Sequence, residues 1–229
     1  MRKVATAGIV AALVIGAAMW WAASVDAQGG GTIEADVKYN GAPKVEKLKV
    51  NKDTEKCGTE TTIEHVVVGS NKGLANAVVS VPDAKGATKA KGAIDQHGCR
   101  FVPHVVVMQP GEIEIKNSDD ILHNIHTYST ANPSINKAQP KFKKVMTEKL
   151  EKPEFVKVTC DVHSWMLGWV AVVPGLAAAT DNNGVAKIEN VPAGKHKVEV
   201  WHETLGKQEK DVDVKSGQVT KVSFELKGK

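Results

Sequence analysis

Cys160-Asp161-Val162-His163-Ser164-Trp165-Met166 places a thiol, an imidazole and a thioether within seven residues. Upstream, Ile121-Leu122-His123-Asn124-Ile125-His126 supplies further imidazoles. Two histidines, one cysteine thiolate and a weak axial methionine form the donor combination of copper electron-transfer centres. A Cys-x₂-His-x₂-Met loop is tight enough to turn all three side chains inward. It is too short to close a four-donor shell alone, so the fourth donor must come from another strand end. His123 suits that role, because it follows the Ile113–Lys116 run and the Asn117-Ser118-Asp119-Asp120 turn. Singly, Cys160 reads as a structural thiol, each histidine as a surface residue and Met166 as core filler. Jointly, the order His…Cys-x₂-His-x₂-Met is far more specific. Zinc is the competing metal, but it favours two or more cysteines or three histidines and gains nothing from Met166.

The elements that must position these donors read as β throughout. The chain has 229 residues, 42% hydrophobic and 24% charged, with a formal net charge of +4. That excludes a disordered or collagenous chain and a disulfide-dense miniprotein. Only Arg2 and Arg100 are arginines, which argues against nucleic-acid binding. Short Val/Ile-rich runs alternate with Gly, Pro, Asn and Asp, the pattern of a sandwich or barrel. Candidate strands include Ile33–Val37, Ala77–Val81, Val105–Val107, Ile113–Ile115, Phe155–Cys160 and Trp169–Val173. Thr127–Gln139 is polar, carries Pro133, and reads as a long loop or irregular crossover. Pro174-Gly175 marks a boundary, and four further strand candidates follow it. His196 reads as a turn residue and His202 as a strand-end surface histidine.

Residues 1–27 read as a secretory signal. Arg2 and Lys3 precede an apolar stretch, and Val25-Asp26-Ala27 offers a cleavage site, so the mature chain starts near Gln28. A retained anchor is the alternative, and only then is a membrane a partner. The expected location is periplasmic or otherwise extracytoplasmic, where disulfides are permitted.

The stretch from about Cys99 to Val173 resembles a cupredoxin, the plastocyanin/azurin family. Its short ligand loop and its His123-Asn124-Ile125-His126 run make it most similar to amicyanin. The resemblance implies a Greek-key β-sandwich holding one type 1 copper, with His123, Cys160 and His163 equatorial and Met166 axial. It implies that Asn124 ties the two ligand loops together and that His126 stays outside the shell. It also implies a solvent-edge ligand histidine as the electron port, a role that fits His163 with Trp165 beside it. Beyond residue 176, Thr180-Asp181…Gly184…Ile188…Val191-Pro192…Gly194 resembles the carboxypeptidase regulatory-like, transthyretin-like β-sandwich.

The expected organisation is therefore all-β: a signal over 1–27, an N-terminal β region over 28–82, a copper domain over 83–175 and a second, smaller β-sandwich over 176–229. The N-terminal region can pair with either sandwich, so a tandem order and an inserted copper domain both remain open. Three cysteines cannot all pair within one chain. With Cys160 on copper, Cys57 and Cys99 can form a disulfide, remain free, or join an auxiliary metal site with His65, His97 or His104. The implied function is one-electron transfer, not catalysis, with c-type cytochromes or a periplasmic dehydrogenase as partners. Lysines at 137, 141, 143, 144, 149, 152 and 157 make the middle of the copper domain basic, a field that attracts acidic surfaces. The alternatives are a copper-handling protein and an envelope scaffold without an electron-shuttle role.

Overall fold

The structure is a computed structural model and describes residues 29–86 and 92–228. The expected signal sequence lies outside these residues. Strand β1 (Gly31–Tyr39) alternates as its sequence dictates: Ile33, Ala35 and Val37 are fully buried, with Glu34 and Asp36 on the other face. It is the central strand of a three-stranded sheet. β15 (Val185–Val191) runs antiparallel on one side, with Ile33 opposite Ile188. β18 (Val219–Leu226) runs parallel on the other, with Val37 opposite Phe224. The facing sheet has the order β14 (Leu176–Ala179), β4 (Val78–Val81), β16 (Gly194–His202) and β17 (Gly206–Val214). Val79, Val81, Val198 and Val200 from this sheet pack with Ile33, Val37 and Phe224 between the layers.

β1, β4 and the strands after residue 175 thus form one sandwich, and the chain between β4 and β14 is an insertion. Of the two chain orders open to the sequence, strand pairing follows the inserted one. Two parallel neighbours such as β1 and β18 need a long connection, and the inserted domain is part of that connection. It is itself a sandwich. One sheet has the order β10 (Asn136–Gln139), β9 (His123–Tyr128), β12 (Glu154–Thr159), β13 (Leu167–Val172) and β7 (Val105–Met108). The other has the order β11 (Val145–Leu150), β8 (Gly111–Asn117), β5 (Gly92–Gln96) and β6 (Phe101–Val102). Ile94, Ile113, Ile115, Ile125, Val156, Val158 and Val170 fill the space between them.

One hairpin belongs to neither pair of sheets. β2 (Lys44–Lys49) and β3 (Glu60–Val66) pair antiparallel, with the single turn of helix α1 (Thr54–Cys57) at their tip. Leu48, Cys57 and Ile63 pack against the core of the inserted sandwich. Cys57 is disulfide-bonded to Cys99, with their Cα atoms 5.5 Å apart and a sequence separation of 42. Cross-linking a loop of this length stabilises by about 4 kcal/mol in the chain-entropy picture.

Three local readings change. Thr127–Gln139 is not a structureless crossover. It begins in β9 and ends in β10, and its polar side chains hold the bend between them. The Glu154 carboxylate accepts from Ser129, from the Thr130 amide at 2.6 Å and from Asn132 Nδ2 at 3.2 Å. Burial opposes ionisation of Glu154, but these hydrogen bonds outweigh it and bring the carboxyl down to about 2. His196 lies within β16, with its Nε2 2.8 Å from the Pro192 carbonyl. His202 is a strand-end residue but is buried, at 1% exposure, and its Nδ1 accepts from the Thr204 amide at 3.2 Å.

Burial pushes the His202 imidazole down to about 4, and His104 adds to this against the opposing pull of Glu203. The folded protein therefore releases the His202 proton at a lower pH than the unfolded chain, whose histidines titrate near 6.5. The resulting stability is present above that value and is lost as pH falls toward 4. The stability difference between wild type and His202→Phe is expected to shift by about 2–3 kcal/mol against wild type between pH 7 and pH 4. Urea unfolding at both pH values measures it, and a pH-independent difference contradicts it.

Candidate metal centre

β12 and β13 are antiparallel neighbours with Thr159 opposite Leu167, so residues 160–166 form the connection between them. That connection must double back within seven residues, and the Met166 amide donates to the His163 carbonyl at 3.0 Å to close it. β9 flanks β12 on its other side, which brings the start of β9 beside Cys160. The Asn124 amide points at Cys160 Sγ, 3.4 Å away. Sheet order thus delivers His123 to the loop that carries Cys160 and His163.

The donors converge. The ligand atoms of His123, Cys160 and His163 all lie within 4.8 Å of one another. The two Nδ1 atoms are 3.0 Å apart, and Cys160 Sγ is 3.8 Å from His163 Nδ1. Both histidines are fully buried and Cys160 is 2% exposed. Met166 is buried in the same apolar cluster as Cys160 and Trp165.

The outer nitrogens decide what the inner ones can do. His123 Nε2 is 2.8 Å from Asp119 Oδ2, and His163 Nε2 is 2.8 Å from Asp53 Oδ2. A carboxylate accepts only from N–H, so each ring carries a proton on Nε2, and in its neutral form presents a bare Nδ1 lone pair inward. Two such lone pairs facing each other at 3.0 Å in a buried space repel unless a proton or a metal ion is shared between them. Burial pushes the His123 imidazole down, and His163 adds to this against the hydrogen bond that His123 donates to Asp119. Asp119 is held below the ordinary carboxylate range. Burial opposes this, but donors from the Cys99 amide, His123 and the Gly98 amide prevail. Burial pushes the Cys160 thiol up, tempered by the amides of Asn124, His163 and Val162. A buried thiol beside two bare imidazole nitrogens is a soft donor set that fits copper.

Supporting groups fix the frame. Asn124 Oδ1 accepts from the Asp161 amide at 3.1 Å, and its Nδ2 donates to Asn136 Oδ1 at 2.7 Å. It thereby ties β9 to both β10 and the ligand loop. Asn117, buried at the end of β8, donates to the carbonyls of Ile121 and Gln139 and so holds the approach to His123. His126 turns away from the donors, with Nδ1 2.9 Å from Asp161 Oδ1 and its ring stacked on Tyr128.

The expected electron port does not reach solvent. His163 is fully buried and Trp165 is 4% exposed, because the hairpin tip carrying Asp53 lies over the His163 edge and Trp165 donates to the Cys99 carbonyl. The auxiliary metal site is likewise absent among the described residues. Cys57 and Cys99 are spent on their disulfide, and His65, His97 and His104 face the carboxylates of Glu46, Asp119 and Glu203. Sequence reasoning missed both carboxylates that hold the ligand rings. Asp119 stands four residues before His123, a spacing that can bring it back to the ring, whereas Asp53 has no local signal at all.

No protein-family model matches the chain, and no curated protein matches it. Solved structures resemble parts of it. The copper-containing nitrite reductase from Thermus scotoductus SA-01 is 21% identical with a TM-score of 0.33, over 41% of this chain and 25% of that one. The chain therefore spans about a quarter of the reductase's length. A purple cupredoxin from Nitrosopumilus maritimus is 20% identical with a TM-score of 0.31, over 37% of this chain and 99% of that one. Amicyanin from Paracoccus versutus is 14% identical with a TM-score of 0.32, over 41% and 96%. What this chain can do is set by its own donors.

Removing the Asn124 side chain takes the acceptor from the Asp161 amide and the donor from Asn136 Oδ1. Asn124→Ala is expected to cost about 1–3 kcal/mol and to speed hydrogen exchange at the Asp161 amide. Unchanged exchange at Asp161 contradicts the tie.

Proposed function

We propose that this protein is an exported type 1 copper protein of cupredoxin type that carries single electrons between redox partners. His123, Cys160 and His163 would hold the metal, with Met166 as a weak fourth donor. The observation that carries the proposal is the pair of bare Nδ1 atoms and the thiol, turned toward one buried point by carboxylates on the far side of each ring. Bound copper supplies a one-electron couple between Cu(II) and Cu(I). The chain's own residues do the rest. Asp119 and Asp53 fix which nitrogen is free, Asn124 holds the Cys160 turn against β9, and the apolar cluster around Met166 and Trp165 excludes water. Hydrogen bonding at the cysteine sulfur, the axial donor and the apolar surround set the potential of such a centre. The Asn124 amide at Cys160 Sγ is one such bond.

Four protein donors leave no open position for a substrate, which favours a carrier over an enzyme. Donors buried this completely also favour a fixed centre over copper handling, which requires a metal that comes and goes easily. The Cys57–Cys99 disulfide supports an oxidising compartment, in keeping with the expected signal sequence. Exposed Lys141, Lys143, Lys149, Lys152 and Lys157 support an acidic docking surface on a partner such as a c-type cytochrome or a dehydrogenase. The other sandwich, similar in sequence pattern to carboxypeptidase regulatory-like modules, serves in this reading as the scaffold from which the copper domain emerges.

Adding Cu(II) to the purified protein is expected to produce an intense thiolate-to-copper band and reversible one-electron voltammetry. Cys160→Ser abolishes the band, and the double variant Cys57→Ser/Cys99→Ser keeps it. A colourless protein that binds only zinc or Cu(I) would sink the proposal.

A further inference from the structure

The tip of the β2–β3 hairpin is built around one residue. Asp53 has φ 51° and ψ 38°, a left-handed backbone that side chains other than glycine, asparagine and aspartate seldom adopt. Its carbonyl accepts from the Lys56 and Cys57 amides, both at 2.9 Å. Its side chain sits at the start of α1 but makes no capping bond there. It reaches across to His163 Nε2 instead. The residue is anchored at both ends of this reach: four positions on, Cys57 is bonded to Cys99, whose own amide donates to Asp119. The disulfide therefore fastens the carboxylate on His163 and the carboxylate on His123 into one frame.

Resting on the copper reading above, we propose that Asp53 is a positioning residue for His163: it fixes the ring, strengthens its inward nitrogen as a donor, and closes the metal centre to solvent. Carboxylate partners of ligand histidines orient the ring and raise its basicity, and losing one typically costs 10–100-fold in metal affinity. The added negative charge favours Cu(II) over Cu(I), because the more highly charged ion gains more from it. Asp53 thus lowers the reduction potential.

The test compares Asp53→Ala, Asp53→Asn and Glu55→Gln with wild type. Glu55 sits in the same helical turn and controls for loss of charge alone. Asp53→Ala is expected to lose Cu(II) affinity 10–100-fold with a smaller loss for Cu(I). Each tenfold of that difference raises the midpoint potential by about 59 mV. Asp53→Asn keeps an acceptor for the ring N–H and gives an intermediate rise. Glu55→Gln leaves the potential unchanged. In the metal-free protein, NMR is expected to show a slowly exchanging His163 Nε2–H in wild type and Asp53→Asn, and its loss in Asp53→Ala. Equal potentials in wild type and both Asp53 variants, or an equal shift in Glu55→Gln, overturn the inference. So does a His163 N–H that persists in Asp53→Ala. If wild type forms no thiolate–copper band, the proposed function fails, and the NMR comparison alone decides whether Asp53 holds His163.

Discussion

Two imidazole nitrogens held 3.0 Å apart in a buried space are the constraint on which the site's architecture turns. Left to themselves, two neutral rings would rotate or accept water to avoid opposing lone pairs. Here neither escape is open. Asp119 and Asp53 hold the far nitrogens, and the surrounding side chains leave both rings without solvent contact. Burying two histidines, a thiol and the carboxylates that restrain them is unfavourable unless their polar atoms are satisfied. The outer nitrogens are satisfied by carboxylates, while the inner nitrogens and the thiol face one another across a point where a soft cation can meet them together.

Maintaining that frame explains the topology around it. The donors come from three places: the start of β9, the end of β12 and the turn after it. They meet because β9 and β12 are neighbours in one sheet. Asn117 and Asn124 then convert sheet order into loop position by tying the loops at that end of the sandwich to each other. The fourth contribution comes from outside the sandwich. Asp53 belongs to a hairpin between β1 and β4, strands of the other sandwich, so the insertion order has a local consequence. The chain leaves the first sandwich, lays the hairpin over the ligand loop, returns for β4, and only then enters the domain that holds the donors. A tandem order would fold the same donors without requiring this cover.

The sequence made the donors legible because they are bunched. Cys160, His163 and Met166 share one short turn, and their types are jointly informative where each alone is bland. Alternation made the strands legible, as in β1, where Ile33, Ala35 and Val37 all point inward. What stayed hidden was long-range. The parallel pairing of β1 with β18 leaves no mark in either strand, since each reads only as half-buried β. Asp53 lies 110 residues from the ring it holds, and an aspartate beside a lysine-rich run looks like ordinary surface charge. The burial of His202 stays hidden for a related reason: a histidine next to Glu203 at a strand end has a solvated appearance, and only packing against neighbouring elements buries it.

The two carboxylates are not equivalent, and in the proposed carrier their difference bears on how an electron would leave. The Asp119 side chain is 14% exposed, enclosed by the Gly98 and Cys99 amides and by His123. The Asp53 side chain is 35% exposed. His163 is therefore separated from solvent by little more than one carboxylate. A cover this thin excludes water from the ring yet adds only the length of a hydrogen bond and a side chain to the route from His163 to the surface. Water exclusion limits the reorganisation that accompanies a change of charge at the centre, because fixed protein dipoles need not rearrange as solvent does. In the proposed carrier, a short route would keep a partner within reach. The hairpin tip meets both demands only while it is fixed in place, and the Cys57–Cys99 disulfide, four residues from Asp53, fixes it.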